Sequence, residues 1–263
     1  ATGMHIPALI QEQNGFAGLT NKKLGSRVQC ICVAYEGMER FFPADRIVMT
    51  GNPIRSIIVP ATPEMKAEGV KEYGLDPARK HIFIVGGSLG SSRFNQCMRK
   101  WISDGCPGLD GVDVLWQCGK YYKHGVDEFM KEQREKNPDA LRHIHYSDFI
   151  GRMELAYAAA NVVVSRSGAS SVSELCAAHK AVIFIPSPNV AEDHQTHNAM
   201  ALVKKDAAVI VKDSEAMEKM IPTALELLKD PGRIATLEEN AGKMALPDAA
   251  GKIAEEVYKL IKL

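Results

Sequence analysis

The sequence is poor in aromatic residues: Phe, Trp and Tyr make up 6% of its 263 residues. That is too few for the stacking platforms with which single-strand-binding proteins hold bases. It has no excess charge of either sign, with 32 Lys and Arg against 32 Asp and Glu. No whole-chain field therefore favours nucleic acid or an anionic membrane, and no nucleic-acid partner is expected. No apolar run approaches the ~18 residues of a spanning helix, and no signal-peptide pattern opens the chain. Cys30, Cys32, Cys97, Cys106, Cys118 and Cys176 form no C-x-x-C pair. They fall mostly in apolar runs, which predicts buried, reduced thiols of a cytosolic protein and argues against a metal centre.

What is present is a strict alternation. Apolar, β-branched runs of strand length occur at 81–85, 112–118, 144–150, 161–166, 181–186 and 207–212, and helical patterns lie between them. Strands buried on both faces and separated by single helices predict βαβ crossovers and a parallel, doubly wound α/β sheet. Residues 1–52 repeat the scheme with strands over 6–10, 28–35 and 46–51. Three strands make a thin sheet, so the chain is expected to begin inside a second α/β domain. GNPIRSIIVPATP (51–63), with its three prolines, reads as the linker. The expected division is 1–56, 57–246, and a C-terminal helix over 247–263 with a one-sided stripe at Ile253, Ala254, Val257, Leu260 and Ile261.

The stretch HIFIVGGSLGSSRFNQ (81–96) ends a strand in glycines and restarts as a helix. Its G-x-S-x-G can present a nucleophilic serine, Ser88, in an α/β-hydrolase. A triad would need an acid and a histidine on separate later loops. Asp193 and His194 are adjacent, so their side chains diverge, and nothing pairs Asp148 with His197. A dinucleotide site fares no better: two of the three glycines are absent, and the second strand ends in Cys118-Gly119-Lys120 rather than in an acid. A phosphate cradle needs only free backbone N–H groups at a helix N-terminus and a hydroxyl. A tight turn packing helix against strand would explain the glycines equally well.

A second strand-to-helix turn, RSGASSVSELCAAH (166–179), carries Glu174 one turn into its helix. Open α/β sheets bind ligands beyond the carboxyl ends of their strands, where a carboxylate beside backbone amides suits a ribose next to a phosphate. The bland alternative is a capping box, Ser170 or Ser171 with Glu174 reaching back. A third segment, IPSPNVAEDHQTHNA (185–199), clusters Asp193, His194, Gln195, His197 and Asn198, a set suited to a sugar. His194 and His197 also have the spacing of a zinc pair, without an evident third ligand.

QEQNGFAGLTNKKL, TGNPIR, IVGGSLGSSRFN, SRSGASSVSEL and DHQTHNA resemble, in order and spacing, the motifs of the MurG family, glycosyltransferase family 28. The resemblance spans nearly the whole chain. It implies a GT-B fold of two Rossmann-like domains, the N-terminal one incomplete here, and transfer of GlcNAc from UDP-GlcNAc to the MurNAc C4 hydroxyl of lipid I with inversion. It implies no cofactor, and a place on the cytoplasmic face of the bacterial membrane, met through the N-terminal domain. By position, Gly87 and Ser88 would hold the diphosphate, and Ile150 would meet uracil through its backbone with Arg55 nearby. Glu174 would grip the ribose within the turn Ala169, Ser170, Ser171, Val172 and Ser173. Gln195, with His194, and Asn14 would face the GlcNAc. The family's glycine-rich N-terminal loop and its base have no counterpart here, and its histidine before E-Q-N is Gln11. The base is therefore expected upstream of Ala1, leaving this chain able to bind donor and unable to transfer sugar. A UDP-GlcNAc 2-epimerase, a nucleotide-sugar-binding module and a serine hydrolase are the competing readings.

Overall fold

The computed structural model describes residues 2–4 and 6–261; Lys262 and Leu263, within the expected C-terminal helix, lie outside the described residues. Two parallel sheets account for the strands. The first has the order β1 (Leu9–Glu12), β2 (Cys30–Val33), β3 (Ile47–Met49), with α1 (Leu19–Gly25) between β1 and β2. Its small core gathers Ala17, Val28, Ile31, Val33, Met38 and Phe42. The opening strand runs over Leu9–Glu12 rather than over 6–10. Pro7 has no N–H to give a ladder, and pairing starts beyond it, where Gln29 N donates to Ala8 O at 3.0 Å. This shift places Glu12 at the strand end.

The second unit opens with α2 (Pro63–Glu72) and continues as β4 (Lys80–Val85), α3 (Ser92–Ser103), β5 (Val112–Gln117), α4 (Lys123–Lys136), α5 (Pro138–Leu141) and β6 (Ile144–Ser147). Then follow α6 (Met153–Ala159), β7 (Val162–Ser165), α7 (Ala169–Ala177), β8 (Val182–Phe184), α8 (His194–Val203) and β9 (Val209–Ile210). All six strands pair in parallel in the order β6-β5-β4-β7-β8-β9. The strand order reverses between β4 and β7, and such a switch point opens a crevice at the carboxyl ends of the strands. Period-two geometry explains why these strands lack polar alternation. On β4, Ile82 and Ile84 enter one core while Phe83 and Val85 enter the other, so both faces are covered by helices.

Four helices were not legible as such, one of them α5, a single turn opened by Pro138. α2 lies in the proline-rich approach to the sheet. α9 (Ala216–Leu228) contains Pro222, an ordinary stop signal. It persists because Met220, Ile221, Ala224, Leu227 and Leu228 are buried along one side. α10 (Pro231–Lys243) begins D-P-G, which reads as a turn; there Asp230 is the N-cap, accepting from Arg233 N at 2.8 Å, with Pro231 in the first turn. α11 (Ala249–Ile261) reaches the first sheet, where Cys30 Sγ lies 3.8 Å from Glu256 Oε2. All six cysteines are buried and unpaired. No helix among the described residues is long and apolar enough to cross a membrane.

Candidate functional site

The two glycine-rich turns face each other at the switch point. The segment 86–91 leaves β4, turns through Gly87 (φ +91°) and Gly90 (φ +78°), and closes with Gly90 N donating to Gly87 O at 2.9 Å. It is braced from β5, because Gly90 and Gly119 meet backbone to backbone: a β-carbon on either would stand 2.8 Å from the other's Cα. Asn95, buried on α3, holds this brace. Its amide donates to Cys118 O at 2.9 Å, and its oxygen accepts from Trp116 Nε1 at 3.0 Å. Ser91 is the N-cap of α3, accepting from Phe94 N at 3.3 Å.

Between the turns lies a cavity of about 520 Å³, lined among others by Gly86, Gly87, Ser91, Gly168, Ser171 and Gln195. Ser88 does not line it and is exposed. The polar wall is instead Arg166, which the sequence reading did not single out. Its guanidinium is 12% exposed and donates to Ile185 O at 2.8 Å, Pro186 O at 3.1 Å and Ser91 Oγ at 3.0 Å. It stacks over Phe94 at 4.7 Å and lies 2.7 Å from Asp213 Oδ1, an ion pair without hydrogen-bond alignment. Arg93 bonds the other Asp213 oxygen at 3.1 Å. Two cations thus meet one carboxylate beside two helix starts, and the cavity is electropositive.

α7 begins at Ala169 after Gly168, with no side chain capping it. The capping box of Ser170 or Ser171 with Glu174 is not formed. Ser170 is exposed, Ser171 turns to the cavity, and Val172 is buried in the core. Ser173 points away from the cavity, accepting from Asn52 Nδ2 at 3.1 Å. Glu174, 12% exposed, is gripped by Arg55 through Nε (3.1 Å) and Nη2 (3.0 and 3.2 Å), and accepts from Tyr157 Oη at 3.3 Å. Burial and the neighbouring Glu174 carboxylate push the Tyr157 phenol far up, so it stays a donor. Ile150 is 3% exposed and shares a core with Tyr157 and Val172; neither its amide nor its carbonyl has a partner among the described residues.

The loop before α8 passes through Glu192 and Asp193 with φ +52° at both, a left-handed conformation that costs roughly 1–2 kcal/mol per non-glycine residue. Gln195 is fixed by accepting from Ser187 N at 2.9 Å, and its own carbonyl accepts from Ser167 Oγ at 2.8 Å. His194 Nδ1 is buried without a partner among the described residues, and His197 stacks on Phe16, centroids 4.9 Å apart. No histidine ring bonds a serine hydroxyl among the described residues, so the triad reading gains no geometry. Among them, no three His, Cys, Asp or Glu side chains gather as a metal site.

Asn14 reaches this region as part of a tie between the two units. Glu12, 3% exposed, accepts from Asn14 N, Gly18 N and Asn21 Nδ2 at 2.9–3.0 Å. Asn14 Oδ1 accepts from Asn198 Nδ2 at 3.1 Å.

The comparisons with known proteins agree with this geometry. The glycosyltransferase family 28 C-terminal domain matches residues 81–253. A Bacteroides thetaiotaomicron protein named as a UDP-N-acetylglucosamine–N-acetylmuramyl-(pentapeptide) pyrophosphoryl-undecaprenol N-acetylglucosamine transferase is 48% identical over 98% of this chain and 67% of its own length. A Parabacteroides distasonis protein of the same name is 46% identical over 99% of this chain and 68% of its own. The chain belongs to the MurG family of glycosyltransferases. The crystal structure of Acinetobacter baumannii MurG superposes with a TM-score of 0.73 at 26% identity, covering 97% of this chain and 67% of that one. The family's fold is GT-B, and its members are hexosyltransferases dependent on UDP-GlcNAc. This chain spans about two thirds of the length of the curated relatives it matches.

Proposed function

We propose that these residues form the donor half of an N-acetylglucosaminyltransferase that moves GlcNAc from UDP-GlcNAc to the C4 hydroxyl of MurNAc in lipid I. The observation that carries this reading is the electropositive cavity between α3 and α7. A diphosphate there would meet the uncapped amides of α7, the backbone of 86–92 and the guanidinium of Arg166. Ser88, outside the cavity lining, would contribute through the shape of the turn that carries it. The amide and carbonyl of Ile150, without partners among the described residues, would meet the edge of a uracil, and Glu174, already oriented by Arg55, would accept from the ribose hydroxyls. Gln195, which lines the cavity, would hydrogen-bond the sugar, with His194 beside it in the chain. Asn14, committed to Asn198, positions rather than binds.

In the reaction the acceptor oxygen bonds to the anomeric carbon while the bond from that carbon to the phosphate oxygen breaks. The electron pair leaves on UDP, and the hydroxyl proton passes to a base. Preorganised amides and Arg166 would stabilise charge growing on the diphosphate. We assign no base among these residues. A lipid-linked acceptor together with a nucleotide-sugar donor would have the enzyme work as a peripheral protein at the inner face of the bacterial membrane. Product analysis with labelled UDP-GlcNAc and a lipid I analogue tests the assignment: these 263 residues alone should form no disaccharide-lipid, and the same residues joined to the remaining third of the relatives' length should form it, whereas a 2-epimer or free sugar would replace the assignment by the epimerase or hydrolase reading. Calorimetric titration with UDP tests the donor half separately.

A further inference from the structure

A second cavity, of about 660 Å³, lies outside the donor site, where the chain crosses between the two units. It is walled by the outgoing crossing, 51–54, by the stretch 244–246 that leads back to α11, and by α7, α8 and the end of β2. The crossings touch at Gly51 (φ +87°), where a β-carbon would sit 2.7 Å from Leu246 Cβ. The floor is apolar, with Met49, Ile54, Val172, Cys176, Met200 and Met244.

The rim is cationic: Arg40, Lys204, Lys205 and Lys243 against a single lining carboxylate, Glu36. Glu36 lies 3.5 Å from Lys205, and Lys243 lies 2.7 Å from Glu239. Arg40 donates to Gly15 O at 2.7 Å. Lys204 has no ion pair among the described residues. Independently of these charges, the lining residue Tyr35 is 9% exposed and its hydroxyl is buried with no partner among the described residues. A buried hydroxyl left unbonded is unfavourable, and it marks a place where a ligand atom would be welcome.

We propose that this hinge cavity is a binding site for an amphiphilic organic phosphate. Its anionic group would sit at Lys204 and Lys243, its apolar body over the methionine floor, and an oxygen of that body would accept from Tyr35. Because both crossings wall the cavity, an occupant would also stiffen the joint between the two units.

The test titrates the full chain with 1-hexanoylglycerol 3-phosphate, and with glycerol 3-phosphate and 1-hexanoylglycerol as the two half-molecules. The complete probe should bind at least about ten-fold more tightly than either half, and should slow amide exchange in 51–54 and 244–246. Lys204→Ala with Lys243→Ala should weaken it by about ten-fold without shifting the melting temperature. Tyr35→Phe should weaken the probe while leaving the free protein as stable or more so, which separates a ligand contact from a structural one. Vesicles containing dioleoylphosphatidate distinguish the source: lysine-dependent capture identifies a lipid headgroup, and probe binding without capture a soluble phosphate. Equal affinity for glycerol 3-phosphate, indifference to the lysine pair, or protection confined to 86–92 would overturn the proposal.

Discussion

Arg55, between β3 and α2, holds Glu174, on α7, through three hydrogen bonds of 3.0–3.2 Å. Arg55 is half exposed, so the pair adds little stability in its own right. Its effect is to present the carboxylate in one orientation. Glu174→Gln keeps an acceptor for the Tyr157 hydroxyl and removes the charge. Its stability should stay within about 1 kcal/mol of the parent, while affinity for UDP-GlcNAc falls by roughly ten-fold or more, the worth of a charge-assisted hydrogen bond. Calorimetry of unfolding and of binding reads the two separately. Unchanged donor affinity would remove Glu174 from the ribose.

Asn198 is fully buried and joins three segments: its oxygen accepts from Gly15 N at 2.8 Å, and its amide donates to Asn14 Oδ1 at 3.1 Å and Ser167 O at 3.2 Å. Asn198→Ala would leave Gly15 N and two carbonyl oxygens unbonded at the joint. An expected loss of about 2–4 kcal/mol follows from orphaning buried groups at about 1–3 kcal/mol each. Urea unfolding measures it; a loss below about 1 kcal/mol would mean that the units do not depend on this tie.

The six-strand sheet was legible because both-face burial leaves a signal that short runs cannot hide, as at Ile82–Val85 along β4. The site was legible as segments and less so as side chains. Spacing marks where a turn lies, but not which serine faces inward. Ser88 and Ser91 are three residues apart, and the left-handed Gly87 and Gly90 turn the backbone just before each of them so that, of the two, Ser91 lines the cavity and Ser88 does not. Arg166 was hidden for a related reason. Its importance comes from Ser91, Ile185, Pro186 and Asp213, partners brought together only by the strand order. Asn14, suited by its place in the sequence to a sugar, is also bonded to Asn198, and a free carboxamide and a bonded one look alike in sequence.

Acid should destabilise the protein through His145 before the carboxylates titrate. Burial holds its pKa below the ordinary value, and the nearby Asp113, 3.7 Å away, only partly opposes that. A histidine with a depressed folded pKa binds fewer protons folded than unfolded, so stability is full above the unfolded value of about 6.5 and declines as pH falls toward the folded one. Urea midpoints should therefore drop between about pH 7.5 and 5.5. His145→Gln should flatten that slope. A variant as pH-sensitive as the parent would remove His145 as the source of the effect.

Ser91 and Ser88 offer the sharpest separation of cradle from nucleophile. Ser91 Oγ caps α3 and accepts from Arg166 Nη2 at 3.0 Å, so it sets both the helix start and the guanidinium that faces the cavity. Ser91→Ala should cost about 1 kcal/mol of stability as a lost N-cap. It should also weaken UDP by several-fold, because Arg166 loses one of its anchors. Ser88 has no side-chain partner among the described residues, and Ser88→Ala should change UDP affinity by less than about three-fold. A hydrolase would behave in the opposite way. Its Ser88 would react with a fluorophosphonate, and Ser88→Ala would abolish turnover while Ser91→Ala spared it. No labelling of Ser88 is expected, since no histidine ring approaches its hydroxyl among the described residues. Stoichiometric labelling there would displace the phosphate cradle from this turn and with it the donor assignment of the whole cavity.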